Sequence, residues 1–152
     1  MVRARGAQSV HADALFEGFR DLTYAYRFGP PGHDVVAASL IDSASGMLLG
    51  SAQYFPGGLP ANRTELLGLD AQAERANGGF LLHLRAERFA HAVTIEAGGV
   101  VPDDNYLHLE PGVPRRVFLR AADPSRPLRG IVAALNGSDA APIILVEESG
   151  GI

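Results

Sequence analysis

Apolar and polar residues alternate with a period of two along most of this chain, and Gly, Pro, Asp and Asn break the alternation at short intervals. Leu22, Tyr24, Tyr26 and Phe28 fall on one side of an extended segment, and Thr23, Ala25 and Arg27 on the other. That is the mark of a half-buried strand. Gly29-Pro30-Pro31-Gly32 ends it, because proline cannot donate to a ladder and glycine permits a sharp turn. Residues 34–41 and 47–55 read as two strands of a hairpin around a turn at 42–46. A weaker strand follows at 71–76, then the strong turn signal Asn77-Gly78-Gly79. Beyond it Phe80, Leu82, Leu84 and Ala86 alternate with Leu81, His83, Arg85 and Glu87.

The run 90–97 carries Val93 and Ile95 on one face, and Gly98-Gly99 opens a long loop through Pro102 to Asn105. Leu107 and Leu109 suit a short strand. Pro111-Gly112 turns the chain into 116–120, where Val117 and Leu119 point inward, and 128–135 closes the pattern. Residues 62–70 fit a helical turn or an irregular crossing strand equally well. Turns recur at roughly 8–12 residues, the spacing of an all-β sandwich. The expected fold is a two-layer antiparallel β-sandwich of about seven to nine strands over 14–136. Residues 1–13 read as linker, and 137–152 as a tail in which 143–146 could add an edge strand. The expected core is Leu22, Tyr24, Val36, Leu40, Leu82, Leu84, Val93, Ile95, Val117, Leu119, Ile131 and Leu135.

Composition narrows the function. The 152 residues suffice to bury a core without disulfides, and there is no cysteine to form one. A net charge of -4 opposes a phosphate-binding surface, so no nucleic-acid partner is expected. All 13 basic side chains are Arg, a bias we attribute to genome composition. No apolar run approaches the roughly 20 residues that span a bilayer, and no secretory pattern opens the chain. A soluble protein of the bacterial cytoplasm or periplasm, without a membrane partner, fits these features.

Candidate chemistry is sparse. Glycoside hydrolysis needs two converging carboxyl groups, roughly 5–9.5 Å apart. Asp103-Asp104 and Glu147-Glu148 are neighbours in extended chain and point apart. The oxygens of Asp103, Asp104 and Asn105 could attract Ca²⁺, but the loop lacks an EF-hand spacing, and structural capping of backbone N–H groups is favoured. His11, His33, His83, His91 and His108 form no metal-binding pair by spacing. His83 reads as solvated and His91 as a strand-entrance residue with one backbone partner. The sequons Asn62-Arg63-Thr64 and Asn136-Gly137-Ser138 read as plain turns. Tyr24, Tyr26 and Phe28 could make a sugar-stacking platform, although their shared face reads more readily as core. No catalytic residue, metal or cofactor is expected.

One stretch is more specific. Arg88-Phe89-Ala90-His91-Ala92-Val93-Thr94-Ile95, then Pro102-Asp103-Asp104-Asn105-Tyr106, then Leu109-Glu110-Pro111-Gly112, resembles the C-terminal immunoglobulin-like domain of β-mannosidase-type family-two glycoside hydrolases. Phe19-Arg20-Asp21 and Ala25-Tyr26-Arg27-Phe28-Gly29-Pro30 resemble the entry to that region, and the likeness runs from about Phe16 to Leu135. The resemblance implies immunoglobulin-like topology and a non-catalytic accessory domain whose partners are the other domains of a parent glycosidase. The catalytic barrel of such a parent takes around 250 residues and has no counterpart here. A carbohydrate-binding or adhesion module acting without hydrolysis is the alternative, with glycan as its partner. Asp103, Asp104, Asn105 and Tyr106 are the candidate residues, as a rigid structural or interdomain loop. The expected bonds run from the Asp104 or Asn105 side chain to backbone.

Overall fold

Short extended segments joined by tight turns account for the secondary structure of the computed structural model, which describes residues 9–11, 14–17, 21–23, 32–59 and 66–146. The chain divides into two compact units, Met1–Ala38 with Ala52–Leu59, and Ser39–Ser51 with Pro60–Ile152. In the first, Asp21 caps the backbone and hydroxyl of Thr23, and the Tyr54 hydroxyl donates to the Thr23 carbonyl at 3.4 Å. Strands β1 (Val36–Ile41) and β2 (Leu48–Tyr54) pair as a two-stranded sheet, the hairpin that the alternation predicts. Its turn is pinned by Asp42, whose Oδ1 accepts from the Ser45 hydroxyl at 2.7 Å and from the amides of Ala44 and Ser45. These bonds, led by the Ser45 hydroxyl, hold the Asp42 carboxyl below its usual range. Gly46, at φ +68°, supplies the left-handed step that closes the turn.

The second unit holds the sandwich. One sheet has the order β11-β3-β4-β8-β6 and the other β10-β9-β5-β7. The first comprises β3 (Asp70–Ala76), β4 (Gly79–Arg85), β6 (Val100–Pro102), β8 (Arg115–Ala121) and β11 (Ile144–Leu145). The second comprises β5 (Ala90–Ala97), β7 (Leu107–Leu109), β9 (Gly130–Ala133) and β10 (Ala140–Pro142). Pairing is antiparallel except where β11 runs parallel to β3, with Ile144 opposite Gln72. Among the described residues there is no α-helix, and no helix is long and apolar enough to cross a membrane. At Gly79 a Cβ would collide with the Leu119 carbonyl, so the close approach of β4 to β8 there requires glycine.

Alternation explains the core. Ala71, Ala73, Leu82, Leu84, Val117 and Leu119 from one sheet meet Val93, Ile95, Leu107, Leu109 and Val132 from the other, and all are buried. Burying apolar area at about 25 cal/mol per Å² is what holds two such layers together. Six of the expected core residues sit in this cluster. Leu22 and Val36 are half-buried, and Tyr24 lies outside the described residues.

Three expectations of burial are corrected. Leu40 is 66% exposed; among the described residues β1 has β2 alone as a sheet neighbour. Ile131 and Leu135 are 42% and 41% exposed, while Leu128, Val132 and Ala134 are buried in their place. The segment 128–135 is placed one residue out of phase with the expectation, and a slip of one flips every side chain to the other face.

The loop expected from Gly98 onward is also interrupted. Residues Val100–Pro102 form β6, with Val100 opposite Ala121 and Pro102 opposite Leu119. Pro102 is tolerated because β6 is an edge strand. The strand read over 22–28, the sequon at Asn62, and Glu147-Glu148 lie wholly or partly outside the described residues.

Candidate functional site

Strand β5 carries a bulge where it leaves β7. Ala90 stands opposite Leu109 and Val93 opposite Leu107, so three steps on one strand face two on the other. The extra residue is Ala92, held at φ +47°, a left-handed conformation that costs an L-residue roughly 1–2 kcal/mol. Three side chains restrain the bulged segment. Asn136 accepts from the His91 amide at 2.8 Å and donates through Nδ2 to the Phe89 carbonyl at 2.9 Å. His108 accepts from the Ala92 amide at Nδ1, 3.1 Å away. Asn105 accepts from the Ile95 amide at 2.9 Å, and its Nδ2 lies 3.4 Å from the Ile95 carbonyl. The segment that cannot complete a regular ladder thus exchanges strand partners for carboxamide and imidazole groups, as buried backbone requires.

The two rings of this region are stacked. His91 and His108 have centroids 4.7 Å apart and planes 13° from parallel, with their Nδ1 atoms 3.2 Å apart. The Phe89 ring lies 5.8 Å from that of His108. His91 is 5% exposed. Because His108 Nδ1 accepts the Ala92 N–H, its single lone pair is committed to that bond and its ring proton sits on Nε2. Burial pushes both imidazoles below their ordinary pKa, and for His108 the neighbouring His91 adds to the effect. The His91 ring, for which the sequence suggests one backbone partner, meets a second imidazole.

The four candidate loop residues do different things. Asp103 bridges to β8, its amide donating to the Phe118 carbonyl at 2.9 Å and its Oδ1 accepting from the Phe118 amide at 3.0 Å. Asp104 takes the Arg115 guanidinium at 2.9 Å, and of the two residues expected to bond backbone it is Asn105 that does so. Asn105 Oδ1 also receives the Tyr106 amide at 3.0 Å. Tyr106 follows at φ +57° and is 70% exposed. The two carboxylates therefore diverge, one toward the β8 backbone and one toward Arg115. Among the described residues no three of His, Asp and Glu gather where a metal could be held.

Sequence reasoning passed over Asn136 and the His91–His108 contact. Asn136 belongs to a sequon read as a turn, yet its amide nitrogen is committed to the Phe89 carbonyl. An Asn directly before a glycine at a strand end is the local signal for such a clamp. No local signal joins His91 to His108, because the bulge brings them together. His83 stands 3.2 Å from Glu74 across the outer face of β3 and β4, in line with a solvated position.

Residues 63–129 match the family model Ig_mannosidase, an Ig-fold domain. The match takes in β3 to β8, with the bulge, both histidines and the whole 103–106 loop. No curated protein and no solved structure matches the chain. The residues that carried the likeness in the sequence lie largely inside this stretch, and over residues 63–129 the chain is similar to the Ig-fold domain that the Ig_mannosidase model describes.

Proposed function

We propose that this chain acts as a non-catalytic accessory domain of a larger, β-mannosidase-like glycoside hydrolase, packing against and supporting its other domains. The observation that carries the reading is the loop over 103–106 inside the family match. Its backbone is tied to both sheets, through Asp103 to Phe118 and through Asn105 to Ile95, and it presents an exposed Tyr106. An exposed aromatic side chain on an anchored backbone suits an interface anchor, since it buries a large area at little conformational cost. The diverging carboxylates favour a supporting role over hydrolysis.

Two assays test the reading. The 152-residue chain should show no turnover of nitrophenyl β-mannoside or other aryl glycosides. Turnover that vanishes on substitution of one of its own residues would overturn the accessory role. Joined to its parent, Tyr106→Ala should weaken the assembled enzyme while the isolated chain melts unchanged.

A further inference from the structure

The stacked histidines do more than fill space. Ala92 sits in a conformation that an L-residue adopts only when its surroundings hold it there, and the hydrogen bond from its amide ends on a titratable atom, His108 Nδ1. That nitrogen can accept the bond only while unprotonated. His91 Nδ1 approaches the same atom at 3.2 Å, so a proton added to His108 faces both the Ala92 N–H and the His91 ring nitrogen. We propose that the His91–His108 pair is an acid-sensitive latch, which in its neutral form fastens the β5 bulge to β7 and on protonation of His108 releases the 103–110 segment from β5.

The surroundings make the latch one-directional. Phe89, Asn136 and Asn105, which also hold this segment, are uncharged. Charged residues on the participating elements are Glu87 and Arg88 before β5, Glu96 on β5, Asp103 and Asp104 before β7, Glu110 after it, and Arg129 and Asp139 on either side of β9; Asp103 is bonded to the Phe118 amide and Asp104 to Arg115. Glu110 accepts the Ser39 hydroxyl. Burial disfavours the imidazolium at His108 first, and His91 second. Released, the imidazole regains an ordinary pKa near 6.5. The open form therefore binds the proton more tightly than the closed form. Opening begins as pH falls through about 6.5 and continues down to the lowered closed-state value, each pH unit favouring the open form by up to about tenfold.

Nitrogen-15 NMR of the full chain tests this directly. At pH 7.5 His108 should show the Nε2–H tautomer. Between pH 7 and 5 the exchange protection of the Ala92 amide, corrected for intrinsic exchange, should fall by up to about tenfold per unit. The Leu82 amide, in the other sheet, should keep its protection. His108→Asn retains an acceptor near the Nδ1 position but cannot be charged there, and should flatten the Ala92 response. An Nδ1–H tautomer at His108, or protection at Ala92 that does not change while His108 titrates, would overturn the latch. If His108→Asn fails to fold, the wild-type titration alone decides.

Discussion

Asn105 and Asn136 grip the same strand from two places, one on Ile95 and the other on Phe89 and His91. Each carboxamide offers an acceptor and a donor, which is what a broken ladder lacks. Asn105→Ala would leave the Ile95 and Tyr106 amides without this acceptor, at roughly 1–3 kcal/mol for a partly buried group. The isolated chain should melt several degrees lower in calorimetry. Asn105→Asp keeps the acceptor but loses the donor to the Ile95 carbonyl, and should fall between the two. An Asn105→Ala protein that melts like the parent would show that water replaces the carboxamide without loss. That an Asn before Tyr could cap a bend was legible in the sequence. Its grip on Ile95, across the β5–β6 turn, was not, because it depends on where the bulge puts that strand.

At the level of elements, legibility followed the polar residues. Strands β4 and β8 carry His83, Arg85, Arg116 and Arg120 on their outward side, and those charges mark which face is wet. Their inward residues were therefore assigned correctly. Gly130-Ile131-Val132-Ala133-Ala134-Leu135 has no polar side chain, so its composition fits either phase equally. The register with β5, Ile95 opposite Val132, decides it. Strand β6 was illegible for another reason. Three residues ending in Pro and followed by two Asp read as a loop, and only pairing with β8 makes them a strand. The register has a measurable consequence. Val132→Ala should cost about 2 kcal/mol, the loss of two buried methyl groups plus a cavity. Ile131→Ala, though it removes more atoms, should cost less than half as much, since the side chain is substantially exposed. A larger loss for Ile131→Ala than for Val132→Ala in urea unfolding would place the strand in the phase read from sequence.

Across the whole sandwich, the sheets differ in how their edges are finished. In the larger sheet β3 is covered by the two-residue β11, and the Val146 amide adds a bond to the Ala73 carbonyl. Short edge strands of this kind discourage pairing between molecules. A chain stopped after Ile143 keeps that buried side chain but uncovers β3. It should form concentration-dependent oligomers in size-exclusion chromatography at a pH where the full chain does not. If it stays monodisperse, β11 is dispensable for edge protection. The parallel pairing also sets an order in time. Gln72 is synthesised long before Ile144, its partner across the ladder, so on a ribosome β3 must wait with one side unsatisfied until nearly the whole sandwich has emerged. At roughly 5–20 residues per second that interval lasts several seconds, ample for a nascent chain to meet a chaperone or another strand edge. The sandwich is thus most vulnerable while it is being made.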